Sequence, residues 1–282
     1  MSYTFVLGIH DATGLCWGLS LPLTAVILRT IFIFPQIMSR RVTQKRLDVA
    51  PVMNAWAQLK KKELFKDEYL ARNPKALEAK FKDEIKKQQK IFYKRHNCQG
   101  WKLFAPFMVQ SPIFIAVLDT LRRMCGFREG LLSMVMGWTM NDSEKMLSHS
   151  LIPFQESMYT EGILWFENLT AMDYTFGLPI LLSASMITTV YLSSTRFTGT
   201  RDRTRLQKYL TRTLYMVSFA MGPIMVAMPT AILEYWVSNM MMSVVVMGFM
   251  NIKMPLKLPP MKCKPKYHLN IVKVTKPRAA SK

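Results

Sequence analysis

Four apolar runs interrupt an otherwise polar and basic chain, at residues 15–35, 103–121, 176–194 and 214–250. Each of the first three is about as long as a helix that crosses a hydrocarbon core. The last is too long for one crossing. Pro229, between Met228 and Thr230, divides it into 214–228 and 231–250, a tight hairpin of two spans. The pattern therefore predicts an all-α polytopic membrane protein with five transmembrane helices. Its fourth span has 15 residues, which at about 1.5 Å each reach only about 22 Å of a core about 30 Å thick. Such a span thins the bilayer or ends below its surface.

Between the first two spans the pattern changes. Residues 40–96 are dense in Lys, Glu, Gln and Leu, with Asn73-Pro74 as the strong breaker near the middle. This predicts helices of about 30 and 20 residues joined at Arg72 to Lys75. Leu47, Trp56, Leu59, Leu70, Leu77, Phe81, Ile85 and Phe92 supply a narrow apolar seam for an antiparallel helical hairpin. Lys60, Lys61, Lys62, Lys86 and Lys87 are then expected on its surface, as a solvated charged face or a contact for anionic lipid or ribosomal RNA.

Charge gives the spans a direction. The chain has 282 residues and a formal net charge of +20, yet 50% of it is hydrophobic. Segments 36–102, 196–213 and 251–282 hold 33 of the 38 Lys and Arg, whereas the segments on the alternate side hold only Arg122, Arg123, Arg128 and Lys145. With five spans the three rich segments share one side, so the N-terminus is expected outside and the C-terminus and hairpin inside. The expected organisation is an outer N-terminus and first span (1–35), a basic inner hairpin (36–102), spans two to five with an outer loop at 122–175 (103–250), and a basic tail (251–282). That outer loop is more acidic. Its stretch 130–140, GLLSMVMGWTM, is too short to span and is expected in the membrane interface, and Asn168-Leu-Thr fits a glycosylation sequon.

Chemistry is sparse. Cys16, Cys98, Cys125 and Cys263 stand far apart, so free thiols are expected rather than a disulfide framework or zinc site. The four His are scattered, and no hydrolase, Walker or dinucleotide motif occurs, so the reading is of a non-enzyme with no cofactor and no metal. His96-Asn-Cys98 lacks companion ligands and reads as a polar loop. The start of the chain shows neither a secretory signal nor a transit peptide, so either the sequence is mature or truncated, or targeting lies elsewhere.

Three ionisable residues fall in or at the spans. Asp119 is one turn from Arg122 and Arg123 and is expected to pair with one of them. Glu234 is about one turn into the fifth span, where it is expected to approach water. Arg29 lies about 20 Å into the first span, past the midplane. It either snorkels to the inner head groups or lines a water-filled cavity in the bundle.

Four stretches carry a resemblance to the YidC family of membrane insertases: GLSLPLTAVILRTIFIFP (18–35), VQSPIFIAV (109–117), GILWFENLTAMDYTFGLPILL (162–182) and MPTAILEYWVSN (228–239). With the charged hairpin after the first span, the likeness extends over nearly the whole chain. ATGLCWG, RHNCQGWK and GILWFENLTA resemble the mitochondrial inner-membrane members that serve cytochrome c oxidase assembly. The resemblance implies a polar groove around Arg29, which matches the family's arginine through TAVILRT and Pro35, with Gln110, Ser111, Ser238 and Asn239 adding polarity. It also implies hydrophobic membrane-protein clients, foremost the hydrophilic C-terminal domain of oxidase subunit 2. The matrix side would be the inner side, with the N-terminus in the intermembrane space. The tail beyond residue 251 is rich in Pro and too short for a long ribosome-binding helix, which leaves weak ribosome contact through hairpin and tail, and no DNA. Other readings are a general co-translational insertase, a secondary transporter and an assembly scaffold. The chain departs from the family at Glu234, where an apolar residue usually precedes Tyr-Trp.

Overall fold

A computed structural model describes residues 2–66, 74–127, 152–195 and 205–257. Among them the regular structure is helical: α1 (Ser2–Thr13), α2 (Trp17–Ile31), α3 (Ile33–Leu64), α4 (Pro74–Arg95), α5 (Trp101–Met124), α6 (Gly177–Thr195), α7 (Arg205–Met225) and α8 (Thr230–Lys253), with a 3-10 turn at Glu156–Tyr159. Helices α5, α6 and α8 are each long and apolar enough to cross a membrane. Helices α1 and α2 qualify only as a pair, bent by 117°. Helix α7 is long enough but begins in a basic turn, so the described helices supply three candidate spans, or four with the bent pair. The expected interfacial stretch 130–140, Leu70 of the seam and the tail beyond 257 lie outside the described residues.

Two local features shape the first apolar run. Gly14 adopts φ of 62° and closes α1 with its N–H on the His10 carbonyl at 2.9 Å, a conformation glycine takes without steric cost. Helix α1 can thus turn and pack on α2 and α5. At the other end Pro35 has no N–H for the Ile31 carbonyl, and its ring crowds that carbonyl. The run accordingly breaks at Phe32 and restarts as α3 instead of continuing as one helix over 15–35.

The core lies at the end where α2, α6 and α8 begin and α5 finishes. Trp17, Leu21, Leu121, Met158, Leu169, Leu182 and Leu233 are fully buried there. Trp17 ties α2 to the loop: its indole N–H donates to Ser157 Oγ at 2.7 Å, its backbone N–H to Glu161 Oε2 at 3.2 Å, and its ring stacks on His10 at 3.9 Å. Burying so large an aromatic is worth about 3–5 kcal/mol against alanine. Segment 152–176 fits as a plug. Gly162 donates to the Glu167 carbonyl at 2.9 Å, and a Cβ there would stand 1.9 Å from the Phe166 carbonyl oxygen, so no other residue fits.

The same plug satisfies helix ends. Thr230 N–H donates to Ala171 O at 2.8 Å and Ala231 N–H to Leu169 O at 2.9 Å, covering donors that the first turn of α8 would otherwise leave open. Asp173 accepts from Leu178 N–H at 2.8 Å and from the Thr175 hydroxyl at 2.6 Å, capping α6. Burial pushes the Asp173 carboxyl up. Hydrogen bonds from the Thr175 hydroxyl, the Leu178 and Thr175 amides and Trp165 outweigh that and hold it below the usual range. The sequon Asn168 has an internal task, because its Oδ1 accepts from Thr170 N–H at 2.9 Å and the Thr170 hydroxyl at 2.7 Å.

At the opposite end the helical hairpin forms with 32 residues in α3 and 22 in α4. Its seam differs in detail from the expected one: Leu59 is 66% exposed, while Val42, Val49, Met53 and Leu64 are buried. Helical phase explains this, since those four recur at near-heptad spacing and Leu59 falls off their stripe. Of the lysines expected on the surface, Lys61, Lys62, Lys86 and Lys87 are exposed, whereas Lys60 is half-buried against Glu63 at 3.1 Å. Helix α3 is also fastened to the end of α8. Arg40, buried, donates from Nε to Met254 O at 2.7 Å and from Nη1 to Asn251 Oδ1 at 3.1 Å, and Gln44 exchanges hydrogen bonds with the Lys257 backbone. A cation on the last carbonyls of a helix is also favoured by its dipole.

Candidate functional site

Helices α2 and α8 both start at the plug and pack directly on one another, so they run parallel, and α5 returns antiparallel alongside them. Where they meet, Leu28, Arg29 and Phe32 from the end of α2 face Gln110, Ile113 and Phe114 of α5 and Tyr235 and Asn239 of α8 around a narrow pocket. Its helical spacing explains the membership. Gln110 and Phe114, and likewise Tyr235 and Asn239, are four residues apart and so share a face of their helix. A side chain on a helix leans toward that helix's N-terminus, which lets Arg29 reach a level shallower than its own Cα and meet Tyr235.

Arg29 Nε is buried and has no hydrogen-bond partner. Leaving a buried donor unmet costs about 1–3 kcal/mol, so this is a place where the fold gives up stability. The walls supply polarity from Gln110, half-buried, and Asn239, 5% exposed, and aromatic surface from Phe114, stacked on Tyr235 at 5.9 Å and edge-on to Trp236 at 5.6 Å. The pocket has room for about one water-sized molecule. Toward the hairpin end, Ile33 and Ile37 of α3 and Met242, Val246 and Phe249 of α8 line a second, largely apolar cleft whose lining also includes Lys253.

Of the five residues singled out in the sequence, the structure thus gathers Arg29, Gln110 and Asn239, and leaves Ser111 and Ser238 half-buried and off the pocket. Sequence reasoning missed Phe114 and Tyr235, although their i, i+4 relation to Gln110 and Asn239 was available to signal them. Asp119 pairs with Arg123 at 3.1 Å, as expected. Glu234 departs from expectation. It is 4% exposed rather than water-accessible, and its Oε2 has no hydrogen-bond partner, because α8 buries nearly all of its first two turns against the plug, α2 and α6. Among the described residues no three His, Cys, Asp or Glu gather as metal ligands, and Cys16, Cys98 and Cys125 are free thiols.

Comparison with known proteins adds three observations. Residues 8–257 match the family described as 60Kd inner membrane protein. The chain is 26% identical over 236 residues to the human cytochrome c oxidase assembly protein COX18, mitochondrial, covering 83% of this chain and 65% of that protein. It is 22% identical over 237 residues to the Arabidopsis thaliana mitochondrial inner membrane protein OXA1-like (84% and 45%) and 24% identical over 241 residues to the membrane protein insertase YidC of Wolinella succinogenes (83% and 33%). The chain thus spans 65% or less of the length of each of these relatives.

Proposed function

The chain belongs to the 60Kd inner membrane protein family, and on that premise we propose that it is an insertase of the mitochondrial inner membrane that carries a hydrophilic client tail across, through the space beside Arg29. The observation that carries this is the half-buried Arg29, whose Nε is buried without a hydrogen-bond partner, set between polar side chains on two facing helices. A structural arginine would be satisfied by its neighbours. One left wanting a partner suits a transient one, such as the acidic or polar groups of a tail in transit.

In this reading α2, with the start of α3, and α5 to α8 make five crossings, the hairpin and C-terminus lie in the matrix, and the N-terminus lies in the intermembrane space. A client's apolar helix slides along the cleft between α3 and α8 while its tail enters the Arg29 pocket, which opens around it. The plug and the core around Trp17 keep the outer end closed to water. Similarity to an oxidase assembly protein supports an oxidase subunit as client, with the C-terminal domain of subunit 2 foremost. The exposed lysines of the hairpin suit anionic lipid and weak contact with a ribosome.

The test is export in vesicles containing the full chain, with a precursor made of one apolar helix followed by a hydrophilic tail. Arg29→Lys should keep most export, and Arg29→Gln should lose about tenfold or more, the worth of one charge-assisted hydrogen bond. If Arg29→Ala, Arg29→Lys and Arg29→Glu all export as well as the parent, the counter-charge role is wrong and the chain is an assembly scaffold. A crosslinker beside Arg29 that catches the tail in transit would oppose the scaffold.

A further inference from the structure

We propose that Glu234 is a second counter-charge site, opposite in sign to Arg29, which receives lysine or arginine side chains of a client tail as they reach the outer seal. The proposal rests on the insertase reading and adds to it a rule for which tails can pass.

Two observations carry it. First, among the described residues Glu234 Oε2 is the only buried carboxylate oxygen without a hydrogen-bond partner; the other deeply buried acid, Asp173, is fully used in capping α6. Second, its place on α8 gives it an approach. Glu234, Ser238, Met241 and Val245 follow at i, i+4, i+7 and i+11 and so form one stripe. That stripe is buried at Glu234 (4% exposed), half-buried at Ser238, and open at Met241 (50%) and Val245 (59%). It is thus a track that opens along the inner part of the helix and closes at an acid. Tyr235 and Asn239, which line the Arg29 pocket, lie on the adjacent stripe, turned about 100° around the helix. A segment moving along α8 would meet the arginine on one flank and the carboxylate on the other.

Charge logic fits this arrangement. A tail that carries both signs meets two barriers, and an arginine alone would repel its basic residues at the narrowest point. A buried carboxylate at the closed end lowers the second barrier, and it costs stability when no client is present for the same reason Arg29 does.

The test uses the full chain in vesicles with two synthetic precursors, alike in their apolar helix, whose tails carry either two glutamates or two lysines. The readout is the ratio of lysine-tail to glutamate-tail export. Glu234→Gln should lower that ratio about tenfold, Glu234→Asp should restore most of it, and Arg29→Gln should move it the other way, each by the worth of about one charge-assisted contact. An unchanged ratio in Glu234→Gln, with Arg29→Gln still shifting it, overturns the proposal and leaves the insertase reading intact. Export of neither tail by the parent protein overturns both. As a check that needs no variant at Glu234, a photocrosslinker at Ser238 should label the lysine tail several-fold more than the glutamate tail; equal labelling also overturns it.

Discussion

Replacing Arg29 with methionine should make the protein more stable and less able to export. The guanidinium Nε is buried without a partner, and leaving such a donor unmet costs about 1–3 kcal/mol. Methionine keeps an unbranched stem of similar reach, and its thioether suits the surrounding Leu28, Phe32, Ile113 and Phe114. Removing the penalty without opening a large cavity should therefore return about 1–3 kcal/mol, the direction seen when buried ionic groups give way to apolar ones. At about 2–4 °C per kcal/mol for a chain of this size, the midpoint of thermal unfolding should rise by about 2–12 °C. Cys98 and Cys125 are buried free thiols, so a fluorogenic thiol dye added during a thermal ramp in detergent reports unfolding directly. The same variant should lose at least about tenfold in tail export. A midpoint that falls, or export that survives, would refute the idea that this site trades stability for function.

Three further outcomes follow from the plug and the clamp. Gly162→Ala places a methyl 1.9 Å from one carbonyl oxygen and 2.4 Å from another, so the loop must refold; stability should fall by about 3 kcal/mol or more in the same ramp. Asp173→Ala should cost about 0.5–2 kcal/mol at pH 7. Because the folded carboxyl titrates below its unfolded value of about 3.9, the advantage of the parent is present above that pH and should shrink as pH falls below it, which unfolding midpoints at pH 7 and pH 3 will compare. Arg40→Gln removes the charge from the end of α8 and should speed amide exchange there about tenfold while leaving α6 unchanged, as read by hydrogen exchange.

Much of this architecture was legible because two periodicities were clean. The apolar runs located α5, α6 and α8, and the change to a charged pattern with a break at Asn73-Pro74 gave the hairpin and nearly its helix lengths. The arginine stood out because an apolar run leaves nothing else to explain it. The misses have physical causes. The run 15–35 reads as one helix by composition, yet the missing N–H of Pro35 and the left-handed Gly14 decide where helices stop. Serines look like groove material in a sequence, but helical phase puts Ser111 and Ser238 off the pocket and brings Tyr235 and Phe114 onto it. Burial of Glu234 depends on the plug folding over α8, a contact between positions far apart that no local pattern announces.

The fastening of α3 to α8 has a mechanical side. From Arg40 to Leu64 the helix extends about 36 Å, and among the described residues its hydrogen bonds to other elements all fall on its first part, from Ser39 to Arg46, reaching the end of α8 and the start of α5. Such an arm is a lever whose fulcrum is this first part, held at the foot of α8 and the start of α5. A tilt of about 10° about that point would sweep the far end through about 6 Å, while the helix end at the fulcrum moves by a small fraction of that. Whatever leans on the hairpin therefore exerts its force with high advantage on the helix that carries Tyr235 and Asn239, roughly 18–28 Å above the fulcrum along the same rod.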